Sequence, residues 1–451
     1  MHRITVIGGG FAGLTAAITA AEAGAKVTVY EAHHTLGGRA RTAESLSANP
    51  RRPPEGRALR RPVRAIARRR SALVAEPRGR FGNAASARAG RRSAGGGLRT
   101  GSQGPYRTNE GPHALYSGGP HWAWLRQRDL IGPLAPIPPL EAARLRLRYR
   151  GALRRTPPFA LLKLLRRGLP QAPVDVDFLT WATGVAGEEG ARAAAHYSAV
   201  ALFHHDPGAL SAAFVRERLR RATKLPPEAH YPRGGWATVI DRMAARAWNL
   251  GVRMETLSRV DSLDDLDSRA AGAPVVVATS LDAARRLLKD DSLTWTSGRT
   301  ALLDLAVRTR RGDAFVVSDL DAPGWLERFT AQDRSLAPAG EQLIQGQIPI
   351  APHETRADGI ARAEQLLDLG FPGWRERVTW RREATANGRT GAVDLPGTSW
   401  RDRPAVDRGD GIYLAGDQVA APGVLSEVSF NSALTAVSLA LGRHALDLKG
   451  A

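Results

Sequence analysis

The segment Val6-Ile7-Gly8-Gly9-Gly10-Phe11-Ala12-Gly13 sets a GxGxxG pattern between a β-branched run and an alanine-rich stretch. In that setting each glycine has its own mechanical duty. Gly8 permits a tight turn, Gly10 lets backbone approach a pyrophosphate at the positive end of a helix, and Gly13 lets that helix pack close to the preceding strand. Phe11 and Ala12 lie inside the turn and are counted with it as ligand contacts. Glu31 follows 18 residues beyond Gly13, at the end of a second strand candidate. A carboxylate there can accept hydrogen bonds from adenosine ribose hydroxyls and disfavours a 2′-phosphate, so a dinucleotide other than NADP is expected. A plain strand-end acid is the competing reading.

Further residues separate FAD from NAD. Leu36-Gly37-Gly38-Arg39-Ala40 brings a glycine pair and an arginine to where a second phosphate contact is useful, and a simple NAD dehydrogenase has no need of them. Far along the chain, Ile412-Tyr413-Leu414-Ala415-Gly416-Asp417 reads as a strand ending in a carboxylate that can reach a ribityl chain. Pro422-Gly423-Val424-Leu425-Ser426 then opens a helix. A helix N-terminus can stabilise negative charge on the pyrimidine side of a reduced flavin.

Together these blocks resemble the superfamily of flavin-containing amine oxidases, protoporphyrinogen oxidases and phytoene desaturases. They occur in that family's order, with Gly111 to His113, Pro232 to Gly235 and Val275 to Val277 between the ends, and cover about half of the chain. The resemblance implies an FAD-dependent oxidoreductase. Gly8, Gly10, Gly13, Gly38 and Arg39 would hold the pyrophosphate and Glu31 the ribose. The backbone of Val260 would lie beside the adenine, Gly416 and Asp417 would meet the ribityl or phosphate groups, and Val424 and Leu425 would flank the isoalloxazine. His113 falls in a loop that the family brings against the flavin, as a proton donor, as a substrate contact, or simply as a packed histidine. The lysine and the aromatic pair of the commonest amine oxidases find no match, so the resemblance leans to the desaturase side and to an apolar small-molecule substrate. A flavin-dependent isomerase or cyclase, and an amine oxidase, are the alternatives. A basic binding protein with a vestigial nucleotide fold is a reading from another class.

These residues need a scaffold. Residues 3–7, 12–23 and 26–30 read as strand, helix and strand, a parallel βαβ start with Gly24 ending the helix. Trp236 to Asn249 places Val239, Ile240, Met243, Ala247 and Trp248 at helical spacing, with a strand expected after Gly251. Short strands at 274–278 and 411–415 and a helix at 426–441 complete the set. The expected architecture is α/β: a Rossmann-type FAD-binding domain with a discontinuous α+β substrate domain. The FAD-binding domain is assembled from 1–43, 106–117, 226–290 and 400–451, and the substrate domain from 118–225 and 291–399.

Composition narrows the chemistry. With 451 residues the chain is long enough for two joined domains. It has no cysteine, which excludes disulfides, thiolate metal sites and thiol nucleophiles, and its 11 histidines show no metal-ligand spacing. No apolar run reaches the roughly 18 to 20 residues of a membrane span. The fold begins too early for a signal peptide, so a soluble, cytoplasmic chain is expected. The net charge is +20, but residues 44–105 hold 15 Arg against 3 Glu and so contribute +12 of it. That arginine-rich stretch lacks the apolar content to fold. It reads as a disordered insertion, as an arm for nucleic acid or another anionic surface, or as the product of a shifted reading frame.

Overall fold

The computed structural model describes residues 2–45, 106–111, 113–166, 168–266 and 272–442. A five-stranded, wholly parallel sheet runs in the order Arg253–Glu255, Lys26–Tyr30, Arg3–Ile7, Val275–Val277, Ile412–Leu414. Its central strands are short, β-branched and buried, as expected of strands covered on both faces. The helix Phe11–Glu22 follows the first strand, and its first ten residues are all buried. A helix apolar all round must be enclosed, and this one packs against the helices Ser426–Ala440 and Trp236–Asn249 as well as the sheet. Its alanines allow the close approach. Gly24, at φ +88°, ends it in a conformation that favours glycine.

The expected Rossmann-type core is therefore present, assembled from both ends of the chain. In Trp236–Asn249 the buried stripe is Trp236, Val239, Ile240, Met243 and Ala247. Trp248 was expected on that stripe but is 68% exposed. It lies about 100° around the helix from Ala247, and Trp236 supplies the aromatic core contact instead, edge-on to Phe11 at 5.8 Å.

A second, seven-stranded sheet runs in the order Val378–Ala392, Ser297–Arg308, Glu341–Pro349, Trp325–Arg328, Val316–Asp319, Arg146–Tyr149, Ala152–Arg154. All its pairings are antiparallel except that of Val316–Asp319 with Arg146–Tyr149. The helix Arg356–Gly370 packs on one face of it against Ala301, Leu303, Leu305, Ile344 and Ile348. A helical lobe of Phe178–Leu202 and Ala212–Ala222 forms a further core. Pro120–Gln127 lies in a stretch read from sequence as substrate domain, yet its Trp124 and Leu125 pack into the nucleotide-fold core.

Of the arginine-rich stretch, residues 46–105 lie outside the described residues. Glu44 and Ser45, placed in it by sequence, instead continue the strand Thr42–Ser45, which pairs antiparallel with Tyr106–Asn109. Backbone pairing with a strand distant in sequence overrides the local composition. Among the described residues no helix is long and apolar enough to cross a membrane.

Candidate functional site

The register of the parallel sheet sets Ile7, Tyr30, Val277 and Leu414 side by side. The residues that follow them, Gly8, Glu31, Ala278 and Ala415-Gly416-Asp417, therefore emerge at one edge, the carboxyl ends of the strands, where nucleotide folds of this type bind ligands. Gly8, at φ +107°, leaves no room for a side chain: a Cβ would lie 2.6 Å from the carbonyl oxygen of Ala278. A Cβ on Gly13 would lie 1.9 Å from the oxygen of Gly8, so this glycine sets the approach of the helix to the turn. Gly10 differs. The nearest atoms to a Cβ there are Gly37 O at 3.8 Å and Gly38 Cα at 3.9 Å, leaving the front of the turn open. No side chain caps the helix that begins at Phe11, so the N–H groups of its first turn, including those of Phe11, Ala12 and Gly13, are available to an anion.

Glu31 is buried, and its carboxylate braces the turn. One oxygen accepts from the Gly9 N–H at 2.7 Å and the other from the His33 N–H at 2.9 Å. Each retains lone-pair capacity for another donor. Val260 lies in the loop after Arg253–Glu255, which is tied to the same place by the Ser258 N–H donating to the Glu31 carbonyl at 2.8 Å. The glycine pair is held against the turn by Gly37 N–H to Gly9 O, 2.8 Å. Arg39 then reaches Asp417 in a bidentate ion pair, with Nη1 to Oδ2 at 2.5 Å and Nη2 bonded to Oδ1. Two motifs separated by most of the sequence thus meet side chain to side chain. The guanidinium expected to face a phosphate is engaged first with a carboxylate. Burial opposes its charge, yet Asp417 outweighs this and holds its pKa above the ordinary value.

At the Val424-Leu425 turn, Leu425 has φ +55°, a conformation costly for a branched residue. The helix end is partly occupied by the chain's own acid: Glu427 accepts from the Val424 N–H at 3.0 Å and from Arg221 at 2.7 Å.

His113 is reached through Gly111, where a Cβ would lie 2.5 Å from the Arg39 carbonyl oxygen. Its ring stacks on Phe329 with centroids 4.6 Å apart, and its Nδ1 meets Gln347 at 2.7 Å. Burial lowers its pKa to about 4, so it is neutral near pH 7. His113 therefore faces the large sheet. Successive residues of a strand point to opposite faces. While Leu303, Leu305, Leu326 and Ile348 meet the helix on one face, Asp304, Glu327, Gln345 and Gln347 are buried on the other. There Gln345 donates to Asp304 at 2.6 Å and reaches the Asn109 carbonyl at 3.3 Å. Gln332 donates to Glu327 at 2.8 Å. Burial pushes the Glu327 carboxyl up to about 7, only partly offset by Tyr231 and Gln332 beside it.

None of Glu327, Gln332, Gln345 and Gln347 was singled out from sequence. The alternation Ile344-Gln345-Gly346-Gln347-Ile348 was legible as a two-faced strand. Its polar side would have been assigned to solvent, and only the packing of a second layer over it reverses that.

The parallel sheet and its glycine turn define a Rossmann-type fold carrying a second, mixed-sheet layer. The family of NAD(P)-binding Rossmann-like domains matches residues 6–70. Solved structures extend the likeness over the chain. An oxidoreductase from Methanosarcina mazei is 16% identical with a TM-score of 0.67, covering 96% of this chain and 99% of its own. Cyclohexylamine oxidase from Brevibacterium oxydans is 15% identical, with a TM-score of 0.63 and coverage of 98% and 99%. A reduced UDP-galactopyranose mutase is 14% identical, with a TM-score of 0.62 and coverage of 98% and 96%. The chain shares the fold of these proteins. No curated protein matches the sequence.

Proposed function

We propose that this chain binds FAD along the carboxyl edge of its parallel sheet and acts as an FAD-dependent oxidoreductase on a small organic substrate held against the seven-stranded sheet. The observation that carries the reading is the convergence of the Gly8 turn, Gly37-Gly38-Arg39 and Gly416-Asp417, closed by the Arg39–Asp417 pair. The residues fit such a group: an uncapped helix end, a turn admitting no side chain at Gly8 or Gly13, and open space before Gly10. Gly8, Gly10, Phe11, Ala12, Gly13 and Gly38 would hold the pyrophosphate through backbone, with Arg39 supplying charge. Glu31 would receive the ribose and Val260 the adenine. Gly416 and Asp417 would take the ribityl chain, and Val424 and Leu425 the ring.

FAD, when bound, supplies a two-electron acceptor for hydride equivalents at its N5. The protein's own share is to orient the substrate and exclude water. His113 would contact the substrate, and its low pKa makes it a neutral hydrogen-bonding group rather than an acid at pH 7. The buried polar face of the sheet favours a substrate with hydrogen-bonding groups over the apolar one implied by the desaturase resemblance. The same face is compatible with a second reading, a flavin-dependent isomerisation without net redox change. Turnover under anaerobic conditions with no electron acceptor would favour that reading.

The test is an absorbance spectrum of the purified protein, before and after incubation with FAD and gel filtration. Retained flavin bands are expected. Protein that stays colourless after FAD has been added overturns the reading.

A further inference from the structure

Single exposed apolar side chains are ordinary on a folded protein, whereas a pair on one side of a helix, set among cations, asks for a partner. The short helix Phe159–Lys163 carries such a pair. Leu161, and Leu164 just beyond the helix end, are buried in the core of the helical lobe, in the cluster that includes Leu147 and Phe178. Ala160 packs so closely on Phe178–Leu202 that a Cβ on Gly190 would lie 2.7 Å from its own. Those contacts fix which way the helix faces. Phe159 and Leu162, three residues apart and so neighbours on the helix surface, are left 71% and 41% exposed.

The charge around them has one sign. Residues 142–174 hold eight Arg and one Lys and no acid. Three of these cations are engaged by the fold: Arg144 pairs with Glu141, Arg148 with Asp319 and Asp321, and Arg150 with Glu189. Arg154, Arg155, Lys163 and Arg166 have no carboxylate partner among the described residues. The three arginines are exposed and Lys163 is half-buried. Arg154 stands opposite Leu147 in the pairing of Arg146–Tyr149 with Ala152–Arg154. Cross-strand partners share a face, and Leu147 packs into the core that holds Leu161 and Leu164, so Arg154 lies on the helix side of its hairpin. At the other end, Leu165 N–H donates to Leu162 O at 3.1 Å and Arg166 N–H to Lys163 O at 3.4 Å, which carries the coil on to Arg166. The cations are crowded: burial, then the neighbouring Arg155 and Arg144, lower the pKa of Arg146. Residues 46–105 hold 15 Arg against 2 Glu and offer no matching acid.

We propose that this face docks on an anionic lipid bilayer, with Phe159 and Leu162 entering the headgroup region and Arg154, Arg155, Lys163 and Arg166 meeting the lipid phosphates. A bilayer offers an anionic surface with apolar chains directly beneath it, which matches a patch of both kinds. A nucleic acid backbone would use the cations and leave the leucine in water. The contact is docking on a surface, not a span across it. It stands apart from the cofactor reading and holds or fails without it.

The full chain has no cysteine, so one introduced thiol carries an environment-sensitive dye at a single place. Thr156→Cys puts it on the proposed face with Phe159 and Leu162 intact, and Thr256→Cys puts it after the strand Arg253–Glu255 at the edge of the parallel sheet; both positions are exposed. Each labelled protein is mixed with vesicles of equal parts phosphatidylcholine and phosphatidylglycerol, with vesicles of phosphatidylcholine alone, and with duplex DNA. The dye at 156 is expected to shift to the blue with the mixed vesicles only, and the dye at 256 with none of the three. Arg154→Gln combined with Arg166→Gln should raise the lipid concentration of half-maximal response about 25-fold, about fivefold for each cation. Phe159→Ser combined with Leu162→Ser should raise it about tenfold or more. Where a variant fails to melt cooperatively, the response of the dye at 156 on the otherwise unchanged face decides. The proposal is overturned when that dye is silent, including when the chain pellets with the vesicles through another surface. It is also overturned when the dye responds as strongly to phosphatidylcholine alone or to DNA, or when both folded variants respond as the parent does.

Discussion

Replacing Gly13 by alanine should destabilise the protein, although alanine is the better helix former. In an unconstrained helix the exchange gains about 1 kcal/mol. Here the new Cβ would lie 1.9 Å from the Gly8 carbonyl oxygen, where ordinary contact begins at 3.4 Å, so about 1.5 Å of separation must be found. Neither side yields easily. The oxygen belongs to a turn held by the Gly8 N–H bond to Tyr30 O at 2.7 Å, and the helix is enclosed by other helices. Overpacking costs about 1–3 kcal/mol or more, and a clash this deep belongs to the upper part of that range, about 2–3 kcal/mol, so after the propensity gain a net loss of about 1–2 kcal/mol is expected. The matched control is Gly184, exposed within Phe178–Leu202, where a Cβ meets nothing within 4 Å. Gly184→Ala should stabilise the helix by up to about 1 kcal/mol. Urea unfolding followed by tryptophan fluorescence, with flavin retention measured in parallel, compares the two. Equal stability changes of the same sign, or a Gly13→Ala protein with undiminished stability and flavin, would refute the close-approach argument.

Glu31→Ala strips acceptors from the Gly9 and His33 N–H groups, bonds worth about 1.5–3 kcal/mol each to a charged partner. Flavin retained after gel filtration should fall, and less so for Glu31→Gln; unchanged content would mean the ribose contact is misassigned. A double-mutant cycle of Arg39→Met with Asp417→Asn should give a coupling of about 1 kcal/mol, kept modest because the pair is partly exposed. No coupling would remove the closing contact of the site. Glu327, raised from 4.5 to about 7 by burial, holds its proton in the native state where the unfolded chain has lost it, so stability falls as pH rises across that window. Glu327→Gln should flatten that fall in melting temperatures measured from pH 4.5 to 7.5. His121, lowered from 6.5 to about 4 by burial, acts in the opposite sense, since the unfolded chain binds the proton first as pH drops below 6.5. His121→Phe should lessen acid destabilisation between pH 6.5 and 4, and an unchanged acid limb would show that the imidazole is not buried neutral.

Chemistry confined to a few neighbouring residues was readable from the sequence. The GxGxxG turn, its helix, the second strand and Glu31 follow from spacing, because a βαβ unit is set by local periodicity and by glycines that admit no other residue. The order of the later blocks was enough to bring Gly416 and Asp417 to the same fold. Sequence could not tell that Arg39 and Asp417 would neutralise each other, because an ion pair between residues 378 apart depends on how two strand ends are juxtaposed. Trp248 was misplaced because one residue's step around a helix separates core from solvent. The polar inner face of the second sheet was hidden for a related reason. Alternation declares that a strand has two unlike faces, but which face is covered is a property of the layer packed upon it. The glycine turn and its βαβ unit are thus written in short-range pattern, whereas the buried polar face of the second sheet, with Asp304, Glu327, Gln345 and Gln347, exists only once a distant layer closes over side chains that a sequence would assign to water.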